Sequence, residues 1–517
     1  MKLNYKRTIL VGFAFFLISA FWQAYDATIP VILTNKFGMS QTWSGVIMAL
    51  DNVLAVFMLP VFGALSDKCN TKYGKRTPFI TIGTVLAAVA LIALSFVDNM
   101  QLANISDVAS IDDPAALEVI YDTQGSKDLL TPEGEQFVLA DVFSKEEFTA
   151  ITSKIVDATG KEVTNADYTN YVAPARQAYA AEATAKNSTP QILFVALLLI
   201  VLVSMATFRS PAVALMPDVT VKPLRSKANA VINLMGTAGG ILVLVLGMVF
   251  ATSAVKNSLM SYTLFYGVIA AIMLGALAIF LLTVREKRWA QEMYEDSIRY
   301  GIEEAEVVDN GQKRGLSAGE MRSLVFILLS IAMWYFGYNA VTSKYSVYAG
   351  NILHKDYNTT LLLAQAAAIV AYLPAGMIAS KIGRKKTIMG GVVLLATAFG
   401  AASFMRAESP TWLMNVLFAM AGVAWATINV NSFPMVVEMC SGADIGKYTG
   451  FYYTASMTAQ IVTPMLSGFL MDAFGMTVMF PYAAVFVALA FVTMSMVMHG
   501  DAKPEAKVGL EALDNDD

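Results

Sequence analysis

Charge, cysteine and histidine are all scarce in this chain. Asp, Glu, Lys and Arg make up 15% of its 517 residues, against roughly 25% in an ordinary soluble domain. A net charge of −4 provides no basic field for phosphates, so nucleic acid is not an expected partner. Two cysteines and two histidines, His354 and His499 at loop positions, leave too few ligands for a metal site or a nucleophilic dyad. No Walker-type loop is present, which argues against direct ATP drive. The chain therefore does not read as an enzyme, and no cofactor is expected.

Apolar residues fill the gap, at 56%. A membrane-spanning helix needs about 20 of them in succession. Twelve such runs lie near 8–34, 41–65, 79–97, 191–215, 228–251, 261–284, 322–349, 359–380, 387–405, 411–438, 448–474 and 478–498. The expected class is an all-α membrane protein of twelve spans, monomeric in a lipid bilayer. Pro and Gly inside the runs fit tilted or kinked helices packed on one another. The first run is too long for a cleaved signal and carries Gln23 and Asp26, so it reads as a permanent span.

Short-loop cations set the orientation. Lys2, Lys6 and Arg7, then "SDKCNTKYGKRTP", "KPLRSK", "VREKRW" and "KIGRKK", share one side if both termini are cytoplasmic. That side also takes Cys69 and Cys440, as reduced thiols. Segment 98–190 falls outside and is polar, with 16 acidic residues against 6 Lys or Arg. Its length suggests a small cap rather than a bare loop. "SKEEFTAITSKIVDATG" opens with a capping-box pattern, Ser144 to Glu147, and predicts a helix ending by Gly160; "VAPARQAYAAEATAKN" predicts a second. Whether the insertion has a function or is only tolerated stays open. Lys344 and Lys355 sit near the outer end of their segments and are expected to be solvated, and Trp334 and Tyr335 to be packing residues.

The chain divides into residues 1–284, a linker 285–321, residues 322–499 and a tail 500–517. The two halves echo each other. "GALSDKCNTKYGKR" follows the second run and "GMIASKIGRKK" the eighth; "ALMPDVTVKPLRSKANAV" follows the fourth and "SFPMVVEMCSGADIGKYTG" the tenth. Pro217–Asp218 thus corresponds to Pro434–Glu438, each acid being followed by a cation, Arg225 or Lys227 in one half and Lys447 in the other. Parallel six-helix repeats of this kind mark one large class of transporters.

These motifs resemble the major facilitator superfamily. Gly63, Asp67, Gly74, Lys75 and Arg76 match its loop motif between helices two and three. The resemblance implies a gate that clamps the halves at the cytoplasmic face when the carrier is open outward, with Asp218, Arg225, Glu438 and Lys447 beside it. The second copy has Ser380 in place of the Asp. "GKRTPFITIG", "RSPAVALMPDVTVKPLRSKANAVINLMGTAGGIL" and "GVAWATINVNSFPMVV" are similar to sucrose/proton symporters of the glycoside–pentoside–hexuronide group. That resemblance implies proton-coupled sugar transport, with Arg209 and Asp218 at the positions of the family's Arg and following acid. The acidic pair of the sodium-coupled melibiose permeases is missing before Pro60, so the proton rather than sodium is the implied coupling ion.

The residues support the same chemistry independently. Asp26, Asp51 and Arg209 lie well inside apolar runs, within about 15 Å of one another along the membrane normal at 1.5 Å per residue. Burial favours a neutral acid and a nearby cation favours its carboxylate, so such a group can take and release a proton. A structural ion pair is the alternative, and which Asp would carry the proton is open. Trp22, Gln23 and Asp26 share a face with Ser19, and Asn229, Asn233 and Thr237 share another. Asn339, Gln365, Tyr372, Trp425, Asn429 and Gln460 offer amides and aromatic planes in the second half, suited to sugar hydroxyls and C–H faces. An exporter of amphipathic solutes and a sensor using the insertion are the competing readings.

Overall fold

The computed structural model describes residues 3–157, 160–221, 224–300, 317–437, 439 and 445–499. Twelve helices of 17 to 31 residues dominate it: α1 Tyr5–Asn35, α2 Gln41–Lys68, α3 Thr77–Asn104, α4 Thr189–Asp218, α5 Arg225–Val249, α6 Thr263–Thr283, α7 Ala318–Tyr348, α8 Tyr357–Ile382, α9 Arg384–Ala402, α10 Thr411–Val437, α11 Ile445–Phe474 and α12 Met479–Ser495. Ten satisfy length and composition for crossing a membrane; α8 and α11, at 26 and 30 residues, have the length and complete the order. Their starts are chemically marked. Asn4 and Ser40 accept a backbone N–H of the first turn of α1 and α2, and Ser317 with Glu320 forms a capping box on α7. That box starts α7 four residues before the apolar run does.

The helix pairing repeats after six helices. In the first half α1 packs on α5 and α6, α4 on α2 and α3, and α3 on α6; in the second α7 packs on α11 and α12, α10 on α8 and α9, and α9 on α12. Contacts between the halves obey the same rule: α2 meets α11, α8 meets α5, and α1 meets α7. Each half has its own apolar core, and Ala27 and Val31 of α1 join the core of the second.

The insertion between α3 and α4 folds on its own apolar cluster, which includes Leu117, Ile120, Leu139, Phe148, Tyr168 and Val172. It holds two antiparallel hairpins, β1 Asp128–Leu130 with β2 Gln136–Val138 and β3 Lys154–Val156 with β4 Glu162–Thr164. The Ser144/Glu147 capping box forms, but its helix stops at Thr149 instead of running toward Gly160. The residues beyond become β3, whose Ile155 and Val156 are β-branched, and Gly160 takes φ +81° in the hairpin turn. The second expected helix is present as Ala173–Lys186. In the segment expected to be a plain linker, Glu286–Arg299 is helical, and "EEAEVVDNGQKRG" lies outside the described residues.

On the insertion side the halves are pressed together. A Cβ on Gly45 of α2 would fall 1.9 Å from the Pro464 carbonyl oxygen of α11, and one on Gly468 would fall 2.2 Å from that of Gln41. Asp472 of α11 accepts the backbone N–H of Gln41 (2.8 Å) and Thr42 (2.7 Å) and the Thr42 hydroxyl (2.5 Å). Lys344, expected to be solvated, is wholly buried and donates to the Gln41 carbonyl at 2.7 Å. Its position near a helix end suggested water, but the start of α2 covers it. Lys355 donates to the Ala407 carbonyl at 2.9 Å. Trp334 is a buried core residue, and Tyr335 packs edge-on against Trp425.

Candidate functional site

Between the halves lies a cavity of about 530 Å³. The first half contributes Ser19, Trp22, Gln23 and Asp26 from α1, Arg209 from α4, and Asn233 and Thr237 from α5. All four residues of the expected α1 face are therefore on its wall. The second half contributes Gln365 and Tyr372 from α8 and Trp425 from α10.

Of the residues expected to contact sugar, Asn339, Asn429 and Gln460 are not on this wall, and neither is Asn229 of the expected α5 face. Tyr338, Thr342 and Ser346 of α7 line it instead. They fall at i, i+4 and i+8, the pattern already read in α5, so the signal was present in α7. Asn339 follows Tyr338 by one residue and so points about 100° away around the helix. Asn429 lies one turn beyond Trp425.

The charged groups come together as the spacing suggested. Arg209 sits over the Trp22 ring, with its guanidinium carbon 5.7 Å from the ring centroid, a cation–π geometry. Asp51 is not on the cavity wall but is close enough to interact electrostatically with both Arg209 and Asp26. Its carboxylate also accepts the Asn52 side-chain N–H at 2.7 Å. The three charges thus form one electrostatic group at the first half's side of the cavity.

Neutral polar atoms bridge the halves. The Gln365 side-chain N–H donates to Gln23 Oε1 at 2.6 Å, joining α8 to α1. Gln365 Oε1 and the Trp22 indole N–H are buried without a hydrogen-bond partner. Leaving such groups unsatisfied costs about 1–3 kcal/mol each, a cost that a hydroxylated ligand would relieve. Trp425 lies flat on Tyr338, with ring centroids 3.6 Å apart and planes 6° from parallel. The pair presents an aromatic wall of the kind that packs on the C–H face of a sugar ring.

The loop motif assembles around Arg76. Its Nε donates to Asp218 at 2.8 Å, one Nη to Asp67 at 2.5 Å, and the other to the Ser66 hydroxyl and weakly to the Gly63 carbonyl. These contacts tie the ends of α2 and α4 to the start of α3, all within the first half. Arg225 caps the α4 end, donating to the carbonyls of Pro217 and Thr220 at 3.0 and 3.1 Å. The Lys75 side chain is exposed. Glu438 and the Lys447 side chain lie outside the described residues.

Glu286, read before only as part of the linker, anchors this motif. It is 3% exposed and accepts the backbone N–H groups of Lys75, Arg76 and Thr77 at 2.5 to 2.8 Å, plus the Thr77 hydroxyl. A carboxylate at the N-terminus of α3 satisfies orphan donors and complements the helix dipole. Gly74 has φ +125°, and a Cβ there would meet the Glu286 carboxylate carbon at 2.2 Å. This explains the glycine before the basic cluster. Nothing in the spacing of the linker pointed to Glu286.

Residues 10–111 match a family model described as MFS/sugar transport protein, and residues 347–513 match that of the Major Facilitator Superfamily. A 67-residue stretch is 36% identical to the sucrose transport protein SUC3 of Arabidopsis thaliana, covering 13% of this chain and 11% of that one. Another of 145 residues is 24% identical to the MFS-type transporter ppzB of Metarhizium rileyi, covering 28% and 29%. The matched stretches span less than a third of either relative. The fold extends further: it is similar to the inward-open xylose transporter XylE from E. coli with a TM-score of 0.57 at 14% identity, over 99% of both chains. With family models matching in both halves and the fold shared from end to end, this chain belongs to the major facilitator superfamily.

Proposed function

We propose that the protein is a secondary carrier that moves a small sugar, a disaccharide or small glycoside, together with a proton by alternating access of its two halves. The observation that carries this reading is the composition of the cavity between the halves. Asp26 and Arg209 line one side, while Gln365, Trp22 and the Trp425–Tyr338 stack line the same space. Its volume, about 530 Å³, is within the range of small-molecule sites. The likeness of one segment to a plant sucrose transport protein supports the same substrate class.

The insertion side is closed in this state, and in this reading the site opens to the other compartment as the halves rock. By the distribution of loop cations that compartment is the cytoplasm, with both termini in it. In this reading Asp26 and Asp51 compete for Arg209 and for a proton. A carboxyl that is protonated while Arg209 is turned away and ionised while Arg209 is near couples proton movement to the rocking of the halves. Sugar bridging Gln23 and Gln365 would favour the occluded state, because those two groups belong to different halves.

The test is the external pH of lightly buffered, de-energised cells that express the protein, with mono- and disaccharides added singly. Alkalinisation with one sugar, lost in Arg209→Ala, is the expected result. No pH change and no uptake with any sugar, the protein being present in the membrane, would reject proton–sugar symport.

A further inference from the structure

The central cavity is one of three spaces in line. Above it, toward the insertion, a small space of about 60 Å³ shares Ser346 with the cavity. Above that, a chamber of about 350 Å³ shares Thr169, Ala173, Gln177 and Asn351 with the small space. The floor of the chamber includes Gln41 and Asp472, the seam between α2 and α11. The insertion supplies two further walls, the helix Ala173–Lys186 on one side and the β1–β2 turn on another, and Asn351, Gly475 and Met476 of the second half complete the lining.

Polar atoms without partners recur along this line. Gln41 Oε1 in the chamber, Arg176 Nε in the small space and Ser346 Oγ at the neck are all buried without a hydrogen bond. Each is a polar atom that a hydroxylated solute could satisfy.

The β1–β2 turn starts from the first half and reaches the second. The Met476 N–H, between α11 and α12, donates to the Pro132 carbonyl at 2.7 Å, and Glu133 meets Arg406, between α9 and α10, at 3.5 Å. Gly134 and Gly475 touch back to back, both with positive φ. A Cβ on Gly475 would fall 2.1 Å from the Glu133 carbonyl oxygen, so the contact accepts only glycine.

We propose that the solute route on the insertion side runs beneath the insertion, through this chamber and neck, and that the β1–β2 turn is the strap that closes it. The chamber is then an outer site for the same class of small hydroxylated solute. Opening requires the turn to leave Met476 and Arg406 as α2 and α11 part. The inference rests on the alternating-access reading but not on the identity of the sugar.

Thiol labelling of Ser346→Cys tests it, in the full-length chain with Cys69 and Cys440 replaced by Ser. A membrane-impermeant methanethiosulfonate is applied to right-side-out and inverted vesicles. Ala178→Trp, which fills the chamber, should slow labelling from the insertion side about tenfold or more and leave the opposite side unchanged. Arg406→Ala, which removes the part-exposed ion pair with Glu133 together with the hydrogen bonds of Arg406 to the Ser403 and Met405 carbonyls of its own loop, should speed insertion-side labelling about two- to fivefold. Gly475→Ala should speed it further. Retained labelling from the opposite side shows that each variant is folded. Insertion-side labelling unaffected by Ala178→Trp would place the route elsewhere, and no acceleration in either strap variant would refute the strap. A parent Ser346→Cys chain labelled from one side alone, whatever the variant, would instead overturn the alternating-access reading.

Discussion

Replacing Asp472 by Ala should shift the protein toward a state open on the insertion side. Its carboxylate accepts two backbone N–H groups at the start of α2 and the Thr42 hydroxyl, contacts that exist only while α2 and α11 are together. Hydrogen bonds to a charged acceptor contribute about 1.5–3 kcal/mol each. The lower figure, applied to the two backbone bonds alone because Asp472 is only half-buried, gives about 3 kcal/mol. That changes the open-to-closed ratio about 150-fold, enough to carry a ratio of about 1:99 past parity. Lys344 adds in the same direction, since its buried ammonium would lose the acid that offsets it. Asp472→Asn keeps an oxygen acceptor and should shift the ratio less. Spin labels at Trp43 and Phe474, both well exposed at the seam, would report the change by electron–electron double resonance. Distance distributions of Asp472→Ala that overlay those of the parent would refute the latch.

Glu286→Ala removes four hydrogen bonds from a buried helix start and should cost about 2–4 kcal/mol, seen as a lower thermal midpoint in fluorescence-detected size exclusion and partly recovered in Glu286→Gln. Gly74→Ala should destabilise by the same assay, through both its positive φ and the clash with Glu286. Arg209→Ala should abolish concentrative uptake while the protein still reaches the membrane; unchanged accumulation would remove Arg209 from coupling. Gln365→Ala and Trp425→Ala should each weaken sugar binding about tenfold, as for a lost hydrogen bond or stack of about 1–1.5 kcal/mol, measured by equilibrium binding of the sugar identified by uptake. Unaltered affinity in both would move the sugar away from this wall.

What could be read from the sequence follows from how local each signal is. The spans were legible because crossing a bilayer needs long apolar runs, and the α1 face was legible because Ser19, Trp22, Gln23 and Asp26 repeat at helical spacing. Glu286 and Asp472 were not, because each caps a helix distant in sequence and an isolated acid near a loop carries no mark of its partner. Lys344 was misjudged for the same reason: depth along a helix says where the chain ends, whereas solvation depends on what packs over it.

The imperfect repeat has a physical explanation of this kind. In the first copy Arg76 needs Asp67, and also takes Asp218, because its guanidinium is largely buried between three helix ends. In the second copy Lys385 reaches the carbonyls of Ser495 and Val497 at 3.1 and 2.6 Å, at the end of α12. A cation at a helix C-terminus is satisfied by the dipole and the orphan carbonyls there. An acid at position 380 is not required for that role. Both copies therefore keep the glycine turn and the basic cluster, and in the second a cation of that cluster reaches the orphan carbonyls at the end of α12.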